Sequence, residues 1–299
     1  MRRLPILLAF ALPLAASAQG LPYWQDMTVT SVNAETQRTE AVWFADRADA
    51  LSKGFRESEN YVDLNGVWDF KYFDDYHEMD GFLRSARNDR NSALNDRNDV
   101  ISSEVEKSDR SWNKIVVPGN WEVQGYGVAI YTNIPYDFAP ADPQPPTLPE
   151  VFPAGIYHRT FTVPEGWAGR TVYLNLAGIK SGTYVYVNGK EIGYSEDSKS
   201  LARFDVTKAL KKGDNDLILK VYRYSTGSWL ECQDFWRISG IERDVYLSSE
   251  KTPARFDFSV VSSLDPTLTK GVFRMNLRSQ APAEAFSFSR SSFSSNVPT

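Results

Sequence analysis

Cysteine, histidine and positive charge are all scarce or unexceptional in this chain. Cys232 is its single cysteine, so no disulfide can form within the chain and its folded state must hold by burial and hydrogen bonding. The two histidines, His77 and His158, lack the spacing of a metal-ligand cluster. They give no support to a transition-metal centre or a Ser/His/Asp hydrolase, and both are expected to be structural or solvated. A formal net charge of -5 lacks the basic surplus that gathers around polyanions, so neither nucleic acid nor an acidic membrane surface is an expected partner. Beyond residue 20 no apolar run reaches membrane length. What remains is a 299-residue chain, 42% hydrophobic and 24% charged, long enough to bury one full core and part of a second. A neutral ligand suits it better than a charged polymer.

The opening residues, MRRLPILLAFALPLAASAQG, set Arg2 and Arg3 before an apolar stretch and close it with Ala16-Ser17-Ala18. That order is a secretory leader, residues 1–18, and implies export to the periplasm or the cell exterior. Residues 19–59 read as an N-terminal arm of short patterns, in which DRADALSKGF allows one or two helical turns. Between Leu83 and Arg110 charges alternate and NDRN occurs twice. With few apolar positions to bury, that stretch reads as a solvated insertion.

Elsewhere the signals are those of strands. In YVDLNGVWDFKYF, residues 61–73, Leu64, Val67, Phe70 and Tyr72 start the rhythm. NKIVVP, IYHRTFTVP, TVYLNLAG, GTYVYVNGKEIGYS, DLILKVYRYS and RDVYLSS continue it, with β-branched and aromatic residues at alternate positions. Asn188-Gly189 suits a two-residue hairpin turn and Gly213-Asp214-Asn215 a second turn. Many short strands without βαβ alternation imply an all-β protein, an antiparallel sandwich or jelly roll over residues 60–249. Residues 250–278 add ARFDFSVVSS and GVFRMNL, two strands of a further β domain, too few to close an immunoglobulin-type sandwich. Residues 279–299 form a Ser-rich tail.

One block is unusual for a strand. In LECQDFWRISGIERDVYL, residues 230–247, Asp234 stands between Gln233 and the aromatic pair Phe235-Trp236, with Arg237 behind. Such a carboxylate either caps a turn, pairs with Arg237, or belongs to a site.

Taken in order, LNGVWDFKYF, VPGNWEVQGYGVAIYTNIPY, PAGIYHRTF, VNGKEIGYSEDSKSLARFDVT and this last block resemble the N-terminal sugar-binding domain of the large bacterial β-galactosidases of glycoside hydrolase family 2. The resemblance runs from about Leu21 to Leu277. It implies a galactose-binding-like jelly roll, then an immunoglobulin-like sandwich that is incomplete here, then a (β/α)8 barrel carrying two catalytic glutamates. Retaining hydrolysis needs two carboxylates at a fixed separation across the sugar, and none of the acidic residues of this chain lies in a matching segment. No catalytic residue is therefore assigned.

The resemblance places Asp234 on an aspartate that helps hold a sodium ion and meets the 6-hydroxyl of a β-galactoside. It places Asn133, in IYTNIPY, on an asparagine that approaches the galactosyl group. Both side chains suit the task, because a carboxylate serves a hard cation and a hydroxyl donor together, and an amide both donates and accepts. The magnesium of the complete enzymes has its ligands mostly on the barrel, and the full-length family allows oligomers. Arg237 is expected to pair with a neighbouring acid and fix the loop. Trp121, Tyr131, Phe235 and Trp236 are expected chiefly in the core rather than as stacking faces. Three readings stay open: the N-terminal part of an exported β-galactosidase, a free-standing carbohydrate-binding module, and a remnant that binds nothing.

Overall fold

Alternation along each strand decides what the sheets enclose. In the computed structural model, which describes residues 20–37, 40–80, 82, 112–133, 136–139, 141–251 and 256–279, Trp68 and Phe70 on the strand Gly66–Phe73 are buried. Val67 between them is 60% exposed. The inward set here is thus the two aromatics, and Val67, expected as part of the apolar rhythm, faces solvent. Residues 1–18, expected to be a leader, the NDRN stretch and the Ser-rich stretch beyond Ser279 lie outside the described residues.

The strands assemble into a jelly-roll sandwich. Seven form one sheet in the order Ser31–Val32, Lys190–Ser195, Thr183–Val187, Asp214–Tyr222, Ala154–Thr162, Gly66–Phe73 and Asn113–Val117. Four form the facing sheet, Ala202–Asp205, Thr171–Leu176, Val245–Glu250 and Tyr61–Asp63. Neighbouring strands in both are antiparallel. Between the sheets lie Trp68, Phe70, Tyr157, Leu174, Phe204, Leu219 and Leu247, each an inward position of its strand. Burial of such aromatic side chains removes roughly 150–250 Å² apiece from water, the main force holding the two sheets together.

The hairpin turn expected from the sequence is present, whereas the second one falls earlier than expected: the chain bends at Lys212-Gly213, with Gly213 at φ 82°, and Asp214 and Asn215 already pair with Thr162 and Phe161 as the start of a strand. Asn188 and Gly189 have φ of 51° and 80° and join Val187 to its cross-strand partner Lys190. Asn188 Nδ2 also donates to Ala209 O and Asn215 Oδ1, both at 2.8 Å, which ties this turn to the chain just after the bend at Gly213.

The N-terminal arm is more deeply built in than its mixed text suggests. Trp24 is 3% exposed and stacks on Tyr222 at 5.2 Å, with Phe152 edge-on at 5.3 Å. It seals a second core on the outer face of the seven-stranded sheet. The expected helical turns are the helix Arg47–Ser52, whose N-cap Asp46 accepts from Asp49 N. Further on, Phe55 meets Tyr246 edge-on, and Tyr246 Oη donates to Glu40 Oε1 at 2.5 Å. The arm thus covers the outer face of the four-stranded sheet. Near the C-terminal end, Phe256–Leu264 and Gly271–Ser279 pair as one antiparallel hairpin.

Candidate functional site

Two short strands outside the main sheets carry both residues singled out above. Ile130–Thr132 and Phe235–Arg237 pair antiparallel, with Thr132 opposite Phe235, Tyr131 opposite Trp236 and Ile130 opposite Arg237. Asn133 follows Thr132 and Asp234 precedes Phe235, so the two flank the same end of the ladder, just beyond its last pair. Both are exposed. Tyr131 and Trp236, opposite one another, share a face of the ladder, and the hydrogen bond from Tyr131 brings Asp234 to that face.

That shared face is polar and aromatic. Tyr131 Oη donates to Asp234 Oδ1 at 2.8 Å, and the carboxylate it serves pushes the phenol pKa upward. Among the described residues no hydrogen bond occupies the second carboxylate oxygen of Asp234, which is left for an incoming donor or cation. The rings of Tyr131 and Trp236 lie 5.6 Å apart at 57°, and they are 58% and 54% exposed. The expectation of core packing is corrected for these two. It holds for Trp121, which is fully buried and donates Nε1 to Tyr157 Oη at 2.5 Å, while Phe235 is half-buried.

Arg237, on the opposite face, does not pair with Asp234. Its guanidinium donates to the Gln233 and Phe235 carbonyls, and its Nε lies 3.6 Å from Asp137 Oδ1, both side chains 3% exposed. The expected acid partner is therefore Asp137, itself fixed by the Tyr224 hydroxyl at 2.6 Å. Arg223 extends the network: it donates to Arg237 O at 3.2 Å and to Glu122 Oε1 at 2.8 Å. Glu122 Oε2 in turn accepts Ser239 N at 2.9 Å. Lys180 Nζ and the Arg237 guanidinium lie over the Phe235 ring at 5.2 and 5.0 Å. Burial lowers the Lys180 pKa. Every second residue of the strand is thus anchored below, and Asp234 and Trp236 are presented above on a rigid base.

Beneath the ladder lies a cavity of about 10 Å³ bordered by Asp137, Lys180, Glu231, Cys232 and Arg237. It has room for about one water and none for a sugar ring. A ligand of that size could therefore reach Asp234 only from the exposed face of the ladder. Cys232 is half-buried and burial pushes its thiol pKa up, the opposite of a reactive thiolate.

The approach to the ladder is held by Glu231, at the end of the short helix Ser228–Glu231. It accepts Ser198 N at 2.8 Å and Ser198 Oγ at 2.6 Å. Burial raises its pKa above the ordinary 4.5, against the pull of those bonds and of Lys180. A carboxyl raised in the folded state contributes stability that is complete below the unfolded value and is lost as pH rises through the folded one. Glu231→Gln, which cannot ionise, should therefore flatten the decline of the urea midpoint between pH 4.5 and neutrality. Parallel wild-type and variant profiles would show that Glu231 is not the titrating group.

The histidines lie away from this edge. His158 is held between Asp69 at 3.6 Å and Asp216 at 3.3 Å, and His77 rests on Asp75 at 2.7 Å. No group of three His, Cys, Asp or Glu side chains among the described residues is arranged to hold a metal. Asp234 fits the role of one hard-oxygen ligand, with an open oxygen on a fixed strand, and a cation there needs further donors from elsewhere.

The fold is that of jelly-roll β-sandwich domains, and the ladder gives it an exposed carboxylate, amide and aromatic edge of the kind suited to saccharides. Residues 61–253 match the family described as glycosyl hydrolases family 2, sugar binding domain, and the chain belongs to that family. It is similar to a β-galactosidase of Priestia megaterium, 37% identical over 259 residues that cover 86% of this chain and 23% of the relative. A β-galactosidase of Halalkalibacterium halodurans is 40% identical over 170 residues, 56% of this chain and 17% of that one. A β-galactosidase of Psychromonas ingrahamii is 34% identical over 248 residues, 83% and 22%. The chain thus spans less than a quarter of the length of these curated relatives.

Proposed function

We propose that this chain is the N-terminal, sugar-binding part of an exported β-galactosidase-type glycoside hydrolase, and that its ladder edge meets the galactosyl group of a β-galactoside. The observation that carries the reading is the exposed contact set of Asp234, Tyr131 and Trp236, with Asn133 exposed at the same end of the ladder, built over a buried ionic base. In this reading Asp234 gives one oxygen to a sodium ion and accepts the sugar 6-hydroxyl, and Tyr131 orients its carboxylate. Asn133 exchanges hydrogen bonds with neighbouring hydroxyls. Bound sodium would supply a fixed positive charge that orders the hydroxyl oxygens around it. The relatives' names support the substrate class, and the leader at residues 1–18 supports export.

Catalysis belongs, on this reading, to a barrel outside the 299 residues. Retaining glycosidases need a nucleophile and an acid/base roughly 5–5.5 Å apart, and the ladder offers a single carboxylate. Pure 299-residue protein should therefore give no release of nitrophenol from a β-galactoside above the blank. Sustained turnover that survives further purification would overturn the assignment.

A further inference from the structure

A second place in the sandwich has the chemistry of a saccharide site. A cleft of about 290 Å³ opens between the two sheets, bordered by Val62, Asp63 and Leu64 on one side and by Arg159, Phe161 and Asp214 on the other. It lies toward the Thr162 end of the strand Ala154–Thr162, whereas the opposite end of that strand, where Ala154 pairs with Tyr222, adjoins the Arg223 network under the ladder.

Arg159 is the unusual member. Its strand neighbours Tyr157 and Phe161 are both in the core between the sheets, so alternation turns Arg159 toward the inner side of the sandwich, where it stays partly exposed at the mouth of the cleft. The protein gives it little. Its Nη1 reaches Val67 O at 3.3 Å, its Cζ lies 5.7 Å from the Trp68 ring centroid, and its buried Nε has no hydrogen-bond partner. Among the described residues it forms no ion pair, and burial lowers its pKa. Asp63 and Asp214 stand exposed at the rim. A partly exposed guanidinium with a single long bond to a backbone carbonyl, the apolar side chains of Val62, Leu64 and Phe161, and two carboxylates that accept hydroxyl protons together match a ring with one apolar face and many hydroxyls.

We propose that this cleft is a second saccharide site, for a neutral hexopyranoside, with Arg159 donating to ring or hydroxyl oxygens and Asp63 accepting from a hydroxyl. Two carboxylates against one guanidinium exclude a uronate. Occupied together with the ladder edge, it would hold a longer galactoside at two points on one domain. The inference stands on the cleft alone and does not need the Asp234 reading.

The test titrates the 299-residue chain with methyl β-galactopyranoside and follows the protein by NMR. Saturable shifts are expected at the cleft residues Val62, Leu64 and Phe161, with affinity read there about tenfold or more weaker in Arg159→Met, the range for losing a hydrogen bond to a charged group. Asp63→Asn keeps the exposed rim and guards against a misfolded Arg159 variant; it should bind about threefold to tenfold more weakly. Absence of saturable binding in the wild type, wild-type affinity in both cleft variants, or tighter binding of galacturonate than of the galactoside would overturn the proposal. Binding lost in Asp234→Asn and kept in Arg159→Met would also overturn it, while supporting the ladder edge as the domain's sugar site.

Discussion

Asp234→Asn, tested in a full-length chain that carries this domain ahead of its barrel, is expected to lose about ten- to a hundredfold in kcat/KM on β-galactosides. The size follows from the bond at stake: a hydrogen bond that involves a charged group contributes about 1.5–3 kcal/mol, and that loss converts directly into efficiency. The substitution keeps the shape of the side chain and its place above the Arg237 base. What it removes is the charge that favours a cation and strengthens the bond to a hydroxyl. Two comparisons separate this from a general weakening of the loop. On a 6-deoxygalactoside the wild type should lose most of its advantage over the variant, because the partner of the carboxylate is gone. The sodium dependence of the wild type should be blunted in the variant. Tyr131→Phe offers a graded control, since it removes only the 2.8 Å bond to Asp234 Oδ1 and should cost about 0.5–1.5 kcal/mol. An Asp234→Asn enzyme with wild-type efficiency and an unchanged sodium response would make Asp234 a loop residue of no substrate role.

The sandwich was legible because its strands obey a period of two and its turns use residues that tolerate positive φ. Asn188-Gly189 needed no tertiary information to be read as a turn. Asp234 and Asn133 stand out only through the family resemblance, since residue patterns alone allow Asp234 to be a turn cap, an Arg237 partner or a site residue. What stayed hidden was the set of partners. Applying the strand period to IYTN and to DFWR together would have placed Tyr131 and Trp236 on one face and Phe235 and Arg237 on the other. Frequent aromatics pointed to core packing instead, and for Tyr131 and Trp236 tertiary structure overrides that tendency: the two strands stand outside both main sheets, so only one of their faces is covered. Asp137 and Glu122 could not be found by pattern at all. Each is bonded to a residue about a hundred positions away, and no local signal announces a long-range buried ion pair.

That buried network makes the second large prediction. Glu122 and Arg223 side chains are 0% and 5% exposed, with Oε1 and Nη1 at 2.8 Å. Burial still raises the Glu122 pKa, outweighing the bonds and the arginine that act to lower it. The pair is therefore a poor source of net stability beside an apolar pair of similar size, yet breaking it from one side is costly, because the remaining charge stays buried. Glu122→Ala leaves Arg223, among the described residues, with the Tyr224 hydroxyl and the Arg237 carbonyl as its side-chain hydrogen-bond partners and frees Ser239 N from its acceptor. It should lower the unfolding free energy of the 299-residue chain by about 3–5 kcal/mol, a large share of the roughly 5–15 kcal/mol that holds a typical domain together. The double variant Glu122→Leu with Arg223→Met removes both charges and should recover most of that loss in urea unfolding. The part not recovered measures the bonds of Arg223 and Glu122 to the Arg237 and Ser239 backbone, which fix the strand under Asp234. If Glu122→Ala unfolds within about 1 kcal/mol of the wild type, or the double variant is no better than the single one, the ladder is held by packing around Phe235 and Trp121 and not by this ionic base.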